Sequence, residues 1–311
     1  MNRMRKKIVV LGSYVADLAF RATRLPAWGE TLMGSGFALG PGGKGSNQAV
    51  AAARAGAAVQ MISRLGDDAF GRLARETWAA DGIDASLVGS CDVATGAAAI
   101  LIDEARGENA IIVVPGACFT LTAADVDAVG AAIRSAGVLL TQLELPLGTV
   151  ERGLRLARAA GVLTILNPAP AQALSDEMLG LVDFLIPNES EAALLTGQPV
   201  ESVAQAQSAA QALRRRGARC VIVTLGAQGA LVCAEGAEAL LVGAFNSGAV
   251  VETTGAGDAF CGGFAAALSE GRSVAEATRF GCATAGISVT RAGTAPSMPR
   301  REEIEALLSG G

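Results

Sequence analysis

The sequence predicts an α/β fold of three layers, α/β/α, with a largely parallel central sheet, and three observations predict it. Short apolar, β-rich runs alternate with alanine-rich amphipathic runs, the pattern of a parallel sheet covered by helices on both faces. With 311 residues, 51% hydrophobic content and 39 glycines, the chain can bury a large core. Two stretches, 13–39 and 93–115, break the alternation and leave no room for a crossover helix.

Taken in order, Ile8 to Gly12 reads as the first strand, bounded by a glycine. Val59 to Ser63, Val138 to Leu143, Leu163 to Leu166, Phe184 to Pro187 and Cys220 to Thr224 follow as short apolar strands. Amphipathic alanine-rich helices are expected over 122–136, 147–160 and 201–217. Inside the second irregular stretch, Ala97 to Ile102 and Ala110 to Val114 are further β-rich runs. No linker, repeat or low-complexity tract divides the chain, so 1–311 is read as a single catalytic domain with insertions at 13–39 and 93–115.

Composition removes several classes of function. A net charge of −5 with 4% aromatics offers no basic or stacking surface for nucleic acid. The basic start, Met1 to Lys7, precedes an apolar run that Gly12 and Asp17 interrupt too early for a secretory leader. No run approaches the roughly 18 apolar residues that a membrane span needs. There is no histidine, and the six cysteines at 91, 118, 220, 233, 261 and 282 show no paired spacing. Cys/His metal sites, Ser-His triads and histidine bases are thereby excluded, and reduced structural thiols in a cytoplasmic protein are expected.

Two glycine-rich turns carry the chemistry. Glu252-Thr253-Thr254-Gly255-Ala256-Gly257-Asp258-Ala259-Phe260 places a carboxylate in the first turn of an apolar helix, where unpaired N–H groups and the helix dipole favour an anion. Asp258 there can serve as a base toward a hydroxyl beside a phosphoryl group, or simply cap the helix. The second turn, Gly40 to Gln48, precedes a helix-like run from Ala49 to Ala55, and two such turns suggest two ligands. Gly40, Gly42 and Gly45 also satisfy G-x-G-x-x-G. They do not follow a first strand, however, and Pro41 sits among them, against a dinucleotide fingerprint. A Walker A loop fails because Gly45 follows Lys44.

The run Gly42-Gly43-Lys44-Gly45-Ser46-Asn47-Gln48-Ala49 resembles the N-terminal signature of the ribokinase-like sugar kinases, the ribokinase and phosphofructokinase-B family, with the ribokinase branch nearest. Gly255 to Asp258 resembles their C-terminal signature. Asn167 to Ala171, Pro187 to Glu191 and Thr224 to Gly229 resemble intervening segments in the same order, so the likeness runs from about Val9 to Pro299. It implies a ribokinase-like fold whose two irregular stretches form a small β lid over the sugar site, often paired with a second subunit's lid in a homodimer.

The resemblance also implies roles. Val15, Asp17, Gly42, Gly43, Lys44, Asn47 and Glu144 match residues lining the sugar site. Asn188 and Glu191 match an element that positions hydrated Mg²⁺ near phosphate; the same spacing also reads as an N-cap with a charged first turn. Thr224, Gly226, Gly229, Gly257 and Cys282 fall with the nucleotide, where the two hairpin-like glycines have an ordinary turn reading as well. The implied reaction is transfer of the ATP γ-phosphoryl to a sugar's terminal hydroxyl, Asp258 taking the proton and the N–H groups of Gly255, Ala256 and Gly257 stabilising charge. Glu252, Thr254, Ser288, Arg291, Gly293 and Ser297 match a monovalent-cation site, which implies activation by K⁺.

Two positions depart from the pattern. Val15 stands where the ribokinase branch has asparagine, so ribose is joined by 2-deoxyribose, other sugars and polyols as candidate acceptors, with Tyr14 a substitute donor. Glu252 stands for the usual aspartate. A nucleoside kinase would need an aromatic acceptor pocket, for which 13–47 shows no obvious cluster. A non-catalytic sugar-binding homologue would not need Asp258, the glycine turn and the Asn188/Glu191 pair together.

Overall fold

The computed structural model describes residues 6–310; of the basic start only Lys6 and Lys7 fall within it. The chain enters through β1 (Ile8–Leu11), leaves the main layer for β2 (Val15–Ala22) and β3 (Gly36–Gly42), and returns through α1 (Lys44–Arg54) to β4 (Val59–Gly66). Next come α2 (Ala69–Ala80) and β5 (Asp84–Cys91), then a second excursion, β6 (Thr95–Asp103) and β7 (Glu108–Gly116). The middle of the chain alternates regularly: α3 (Ala123–Ala128), α4 (Gly130–Ser135), β8 (Val138–Thr141), α5 (Leu147–Ala159), β9 (Leu163–Leu166), α6 (Asp176–Leu179), β10 (Phe184–Leu185), α7 (Glu189–Thr196), α8 (Val203–Arg215) and β11 (Cys220–Thr224). A hairpin, β12 (Ala230–Ala234) and β13 (Leu240–Val242), precedes α9 (Ala256–Ser269), α10 (Val274–Ser288) and α11 (Arg301–Ser309).

Among the described residues the main sheet has nine strands in the order β13-β12-β11-β10-β9-β8-β1-β4-β5. Every neighbouring pair from β5 to β11 is parallel, while β12 and β13 extend the far edge antiparallel. Alternate residues of β1 feed two cores on opposite faces. Ile8 and Val10 pack with Phe260, Phe264 and Phe280 of α9 and α10. Val9 and Leu11 pack with Val150 and Leu154 of α5. This is the three-layer arrangement expected.

The predicted strands and helices are present, with instructive differences. The helix expected over 122–136 breaks into α3 and α4 at Val129. The glycine-rich run from Lys44 to Gln48 is not a turn but the first turns of α1, which is capped at Gly43. A glycine inside a helix is unfavourable by propensity, yet here tertiary contacts decide: the Ser46 amide donates to the Ser13 carbonyl, and Trp78 Nε1–H donates to Ser46 Oγ. Strand β5 escapes the pattern because it is an edge strand of mixed polarity, and β12 and β13 because they are short strands of five and three residues at the other edge.

The second sheet has four strands in the order β3-β2-β6-β7 and forms the small lid. It is built from 15–42 and 95–116, ranges shifted a few residues toward the C-terminus from the irregular stretches 13–39 and 93–115. No helix among the described residues is long and apolar enough to cross a membrane.

The strand order reverses at β1. Its neighbours β4 and β8 lead toward opposite edges, so a crevice opens beyond the carboxyl ends of β1 and β8. The chemistry-bearing residues gather there.

Candidate active site

Asp258 lies in the first turn of α9 and is only 6% exposed. Both its oxygens are held by amides from the first turns of α1. Asn47 Nδ2–H donates to Oδ2 at 3.0 Å, and Gln48 Nε2–H donates to Oδ1 at 2.9 Å. Gly255 caps the helix at φ 83°, a left-handed conformation suited to glycine. The Ala256 amide donates to the Thr253 carbonyl, which leaves the next amides of the turn without intrahelical partners. Gly255, Gly257 and Asp258 line one wall of a cavity of about 140 Å³ with Lys44, Asn167, Asn188, Glu191, Thr224 and Cys261.

On the lid side the glycine pair is dictated by close approach. A Cβ on Gly42 would fall 2.3 Å from an Asp17 carboxylate oxygen, and one on Gly43 would fall 2.6 Å from the Val15 amide nitrogen. Strand β2 therefore crosses directly over the start of α1, bringing Asp17 and Val15 to the crevice. Glu144, just beyond β8, accepts the Lys44 amide at 2.9 Å and the Ser13 hydroxyl, which ties the ends of β1 and β8 to α1. Asn47 Oδ1 is buried without a protein partner, an acceptor still to be satisfied.

The electrostatics follow from this crowding. Burial pushes the Asp17 carboxyl up to about 6, with neighbouring Glu144, Asp258 and Glu252 adding to the shift and the Thr294 hydroxyl opposing it. The Lys44 ammonium is raised, chiefly by Asp258, with burial opposing and Glu144 and Glu191 reinforcing. Burial also raises the Glu191 carboxyl, against the Asn188 amide that hydrogen-bonds it.

Asn188 and Glu191 form a capping box at the start of α7: Asn188 Oδ1 accepts the Glu191 amide at 2.8 Å, and Glu191 accepts the Asn188 amide at 2.9 Å. The capping reading and the cavity-lining position coexist. Thr224 ends β11 at the same cavity. Gly226 and Gly229 both have positive φ in the β11–β12 hairpin, where Gly229 presses against the Val242 carbonyl. Cys282 is buried in α10 with its thiol 4.0 Å from the Val242 carbonyl and is not among the residues lining the Asp258 cavity.

Glu252 Oε2 accepts the Gly293 amide at 2.8 Å, which joins the segment carrying Thr254 to the loop carrying Arg291, Gly293 and Ser297. Arg291 is ion-paired with Glu303, Ser288 donates to Ala285, and Ser297 donates to the Thr294 carbonyl. Tyr14 is fully buried, edge-on to Trp78, so its ring belongs to the core. The paired rings of Phe20 and Phe37 lie on the lid face opposite Asp17, by the alternation of β2.

Sequence reading passed over several polar residues that the fold brings in: Ser13, Gln48, Gln142, Asn167 and Thr294. Their signal is a hydrophilic side chain at the end of an apolar strand, or inside a helix start, buried at a cost unless it is partnered.

A helix N-terminus presenting free amides beside a fixed carboxylate and a lysine, facing one carboxylate on the lid and another beyond β8, defines a site for transferring a phosphoryl group to a hydroxyl. The model of the pfkB family carbohydrate kinases matches residues 5–301, and the chain belongs to that family. It is 42% identical to a ribokinase of Haemophilus influenzae over 98% of this chain and 99% of that protein. It is 35% identical to a deoxyribokinase of Salmonella typhi over 97% of this chain and 98% of that protein. It also superposes with a TM-score of 0.92 on an Arabidopsis thaliana ribokinase solved with ribose and ATP, at 34% identity over 98% and 99% of the two chains. The protein is an ATP-dependent sugar kinase with the ribokinase fold.

The raised carboxyl of Asp17 has two consequences for pH. Its folded value lies above its ordinary one, so the native state holds the proton longer than the unfolded chain does. Stability from this group is present at low pH and is lost as pH rises toward about 6. In the acceptor-binding role proposed below for the ionised form, the dependence runs the other way. We expect kcat/KM for the acceptor to rise with an inflection near pH 6, and Asp17→Asn to remove that inflection. A pH–rate series on both proteins checks this, and an identical inflection in the variant contradicts it.

Proposed function

We propose that the enzyme phosphorylates the terminal hydroxyl of a pentose, with ribose the leading acceptor and Asp258 the general base. The observation that carries this reading is the buried Asp258 at the start of α9, clamped by Asn47 and Gln48 and facing Asp17 and Glu144. Asp17 and Glu144 accept hydrogen bonds from acceptor hydroxyls, and the free Asn47 Oδ1 accepts one more. In the transfer step the acceptor oxygen bonds to the γ-phosphorus, its proton passes to Asp258, and the β–γ bond breaks toward ADP. The Gly255 and Gly257 amides at the start of α9 stabilise the charge on the phosphoryl oxygens, whereas the Ala256 amide expected to join them is taken by the Thr253 carbonyl.

A second acceptor is favoured by a specific residue. Val15 is 4% exposed and presents an apolar branch beside Asp17, where an amide would bond a hydroxyl. A 2-deoxypentose presents one hydroxyl fewer, and one full-length relative is a deoxyribokinase.

The nucleotide side fits a magnesium-bound triphosphate. Glu191 and Asn188 line the cavity wall opposite the start of α9, with Lys44 between, and Mg²⁺ supplies charge neutralisation on the phosphates. Thr224 lines the cavity at the end of β11, and the nucleotide is assigned to the turn that follows, with Gly226 and Gly229, and to Cys282 on α10. The Glu252–Gly293 link supports a monovalent-cation site formed with Thr254, Ser288, Arg291 and Ser297, and we assign K⁺ to it.

The chain is read as one kinase domain, 1–311, with the four-stranded sheet as its lid, working in the cytoplasm. Phe20, Phe37, Leu39, Ile112 and Val114 are exposed on one lid face, an apolar surface suited to the lid of a second copy.

Asp258→Asn, assayed by ADP release across ribose, 2-deoxyribose, other pentoses, ketohexoses, polyols and nucleosides, is expected to lose turnover by on the order of 10²–10⁴-fold. Near-normal turnover in the variant removes the base assignment, and a nucleoside as best acceptor removes the pentose. Rates equal in potassium and in tetramethylammonium would remove the cation site. Sedimentation of the native chain should give a dimer that Ile112→Lys dissociates; a native monomer contradicts the lid interface.

A further inference from the structure

We propose that Gln48 is a positioning residue for the phosphoryl-transfer step, fixing the carboxylate plane of Asp258 from the sheet side through Gln142 and Asn167. The inference rests on Asp258 being the base.

A carboxylate turns about a soft sp³–sp² bond with a broad, two-fold preference, so its orientation must be imposed by its neighbours. The two amides that grip Asp258 are not equivalent. Asn47 keeps its Oδ1 without a protein partner, so its orientation is open to an arriving hydroxyl. Gln48 is fully buried, and all its hydrogen-bonding capacity along one direction is committed. Its Nε2 donates to Asp258 Oδ1 at 2.9 Å and to Asn167 Oδ1 at 3.1 Å, which uses both amide hydrogens. Its Oε1 accepts from Gln142 Nε2 at 2.5 Å. Turning the amide over would set its oxygen against two acceptors and its NH₂ against another NH₂, so the orientation is locked.

The lock is anchored in the sheet. Gln142 follows β8, and Asn167 follows β9 while donating through Nδ2 to the Ile186 carbonyl at 2.9 Å. Three strand ends thus aim one glutamine at the base, on the side away from the α9 backbone. A donor to the carboxylate also favours its charged, proton-accepting form. The other ionisable groups facing Asp258 are Lys44 from α1, Glu191 from α7, Asp17 from β2 and Cys261 from α9 itself. All of them remain in a Gln48 variant, so a change in the acid limb reports on the amide.

The test compares Gln48→Met, Gln142→Met, the double variant and Asp258→Asn. It reads kcat at saturating acceptor against pH, both KM values, the thermal midpoint and affinity for a non-hydrolysable ATP analogue. Gln48→Met is expected to lower kcat by about 10- to 100-fold, the range of a hydrogen bond to a charged group. The acid limb of kcat should move to higher pH, and both KM values should change by less than about threefold. Gln142→Met should shift kcat and the limb in the same direction by less, and the double variant should be no worse than Gln48→Met.

Native kcat and an unmoved limb in Gln48→Met overturn the inference, as does a raised KM with unchanged kcat, or additive losses in the double variant. Should Gln48→Met fail to fold, Gln142→Met decides alone: native kcat and limb overturn the inference, while a lowered kcat with a raised limb supports it. An active Asp258→Asn removes the base assignment and the inference with it. An inactive Asp258→Asn beside a native-like Gln48→Met overturns the Gln48 role only.

Discussion

Asp258 can be gripped by α1 because α1 and α9 touch through a glycine. A Cβ on Gly262 would fall 2.5 Å from Ala51 Cβ and 2.6 Å from the Gln48 carbonyl oxygen, so any larger residue would separate the two helices. Their N-termini consequently share one corner of the crevice, and the amides of Asn47 and Gln48 reach a carboxylate more than 200 positions away. The remaining features are arranged around that corner. The lid strand β2 lies over the start of α1, Glu144 is tied to the Lys44 amide, and α7 closes the opposite wall with Glu191.

The corner is electrostatically unfinished, and this explains its chemistry. Glu144, Glu191 and Asp258 gather around one lysine with Asp17 beside Glu144 and Asp258, and the raised carboxyls of Asp17 and Glu191 register the cost of burying them. Such a site gains by admitting groups that donate protons to carboxylates on one side and a neutralised polyanion on the other. Sugar hydroxyls and a magnesium-bound triphosphate have those properties. The polar clamp fixes the Asp258 carboxylate, while the surrounding apolar cores hold the helices that carry the clamp.

Much of this was legible in the residues. β1, β8, β9 and β11 are unbroken apolar runs because helices cover both faces, and such runs are easily read. β5 alternates polarity at the sheet edge, and β13 is a three-residue strand, so neither stands out from a loop. Asp258, Lys44, Asn47 and the glycines belong to ordered motifs and stand out in the sequence. Gln142 and Asn167 meet Gln48 across 94 and 119 positions, a proximity that only the parallel sheet creates. Reading Lys44 to Gln48 as a turn failed for a related reason: glycine's poor helix propensity is overridden by the buried contacts of Ser46 with Ser13 and Trp78.

A crystal structure with ribose or 2-deoxyribose and a non-hydrolysable ATP analogue tests whether the acceptor hydroxyl meets Asp258 at the start of α9. The terminal hydroxyl oxygen is expected within about 2.6–3.2 Å of an Asp258 oxygen, with the γ-phosphate against the first amides of α9. A sugar bound with that hydroxyl turned away from Asp258, or a γ-phosphate held elsewhere, would contradict that placement.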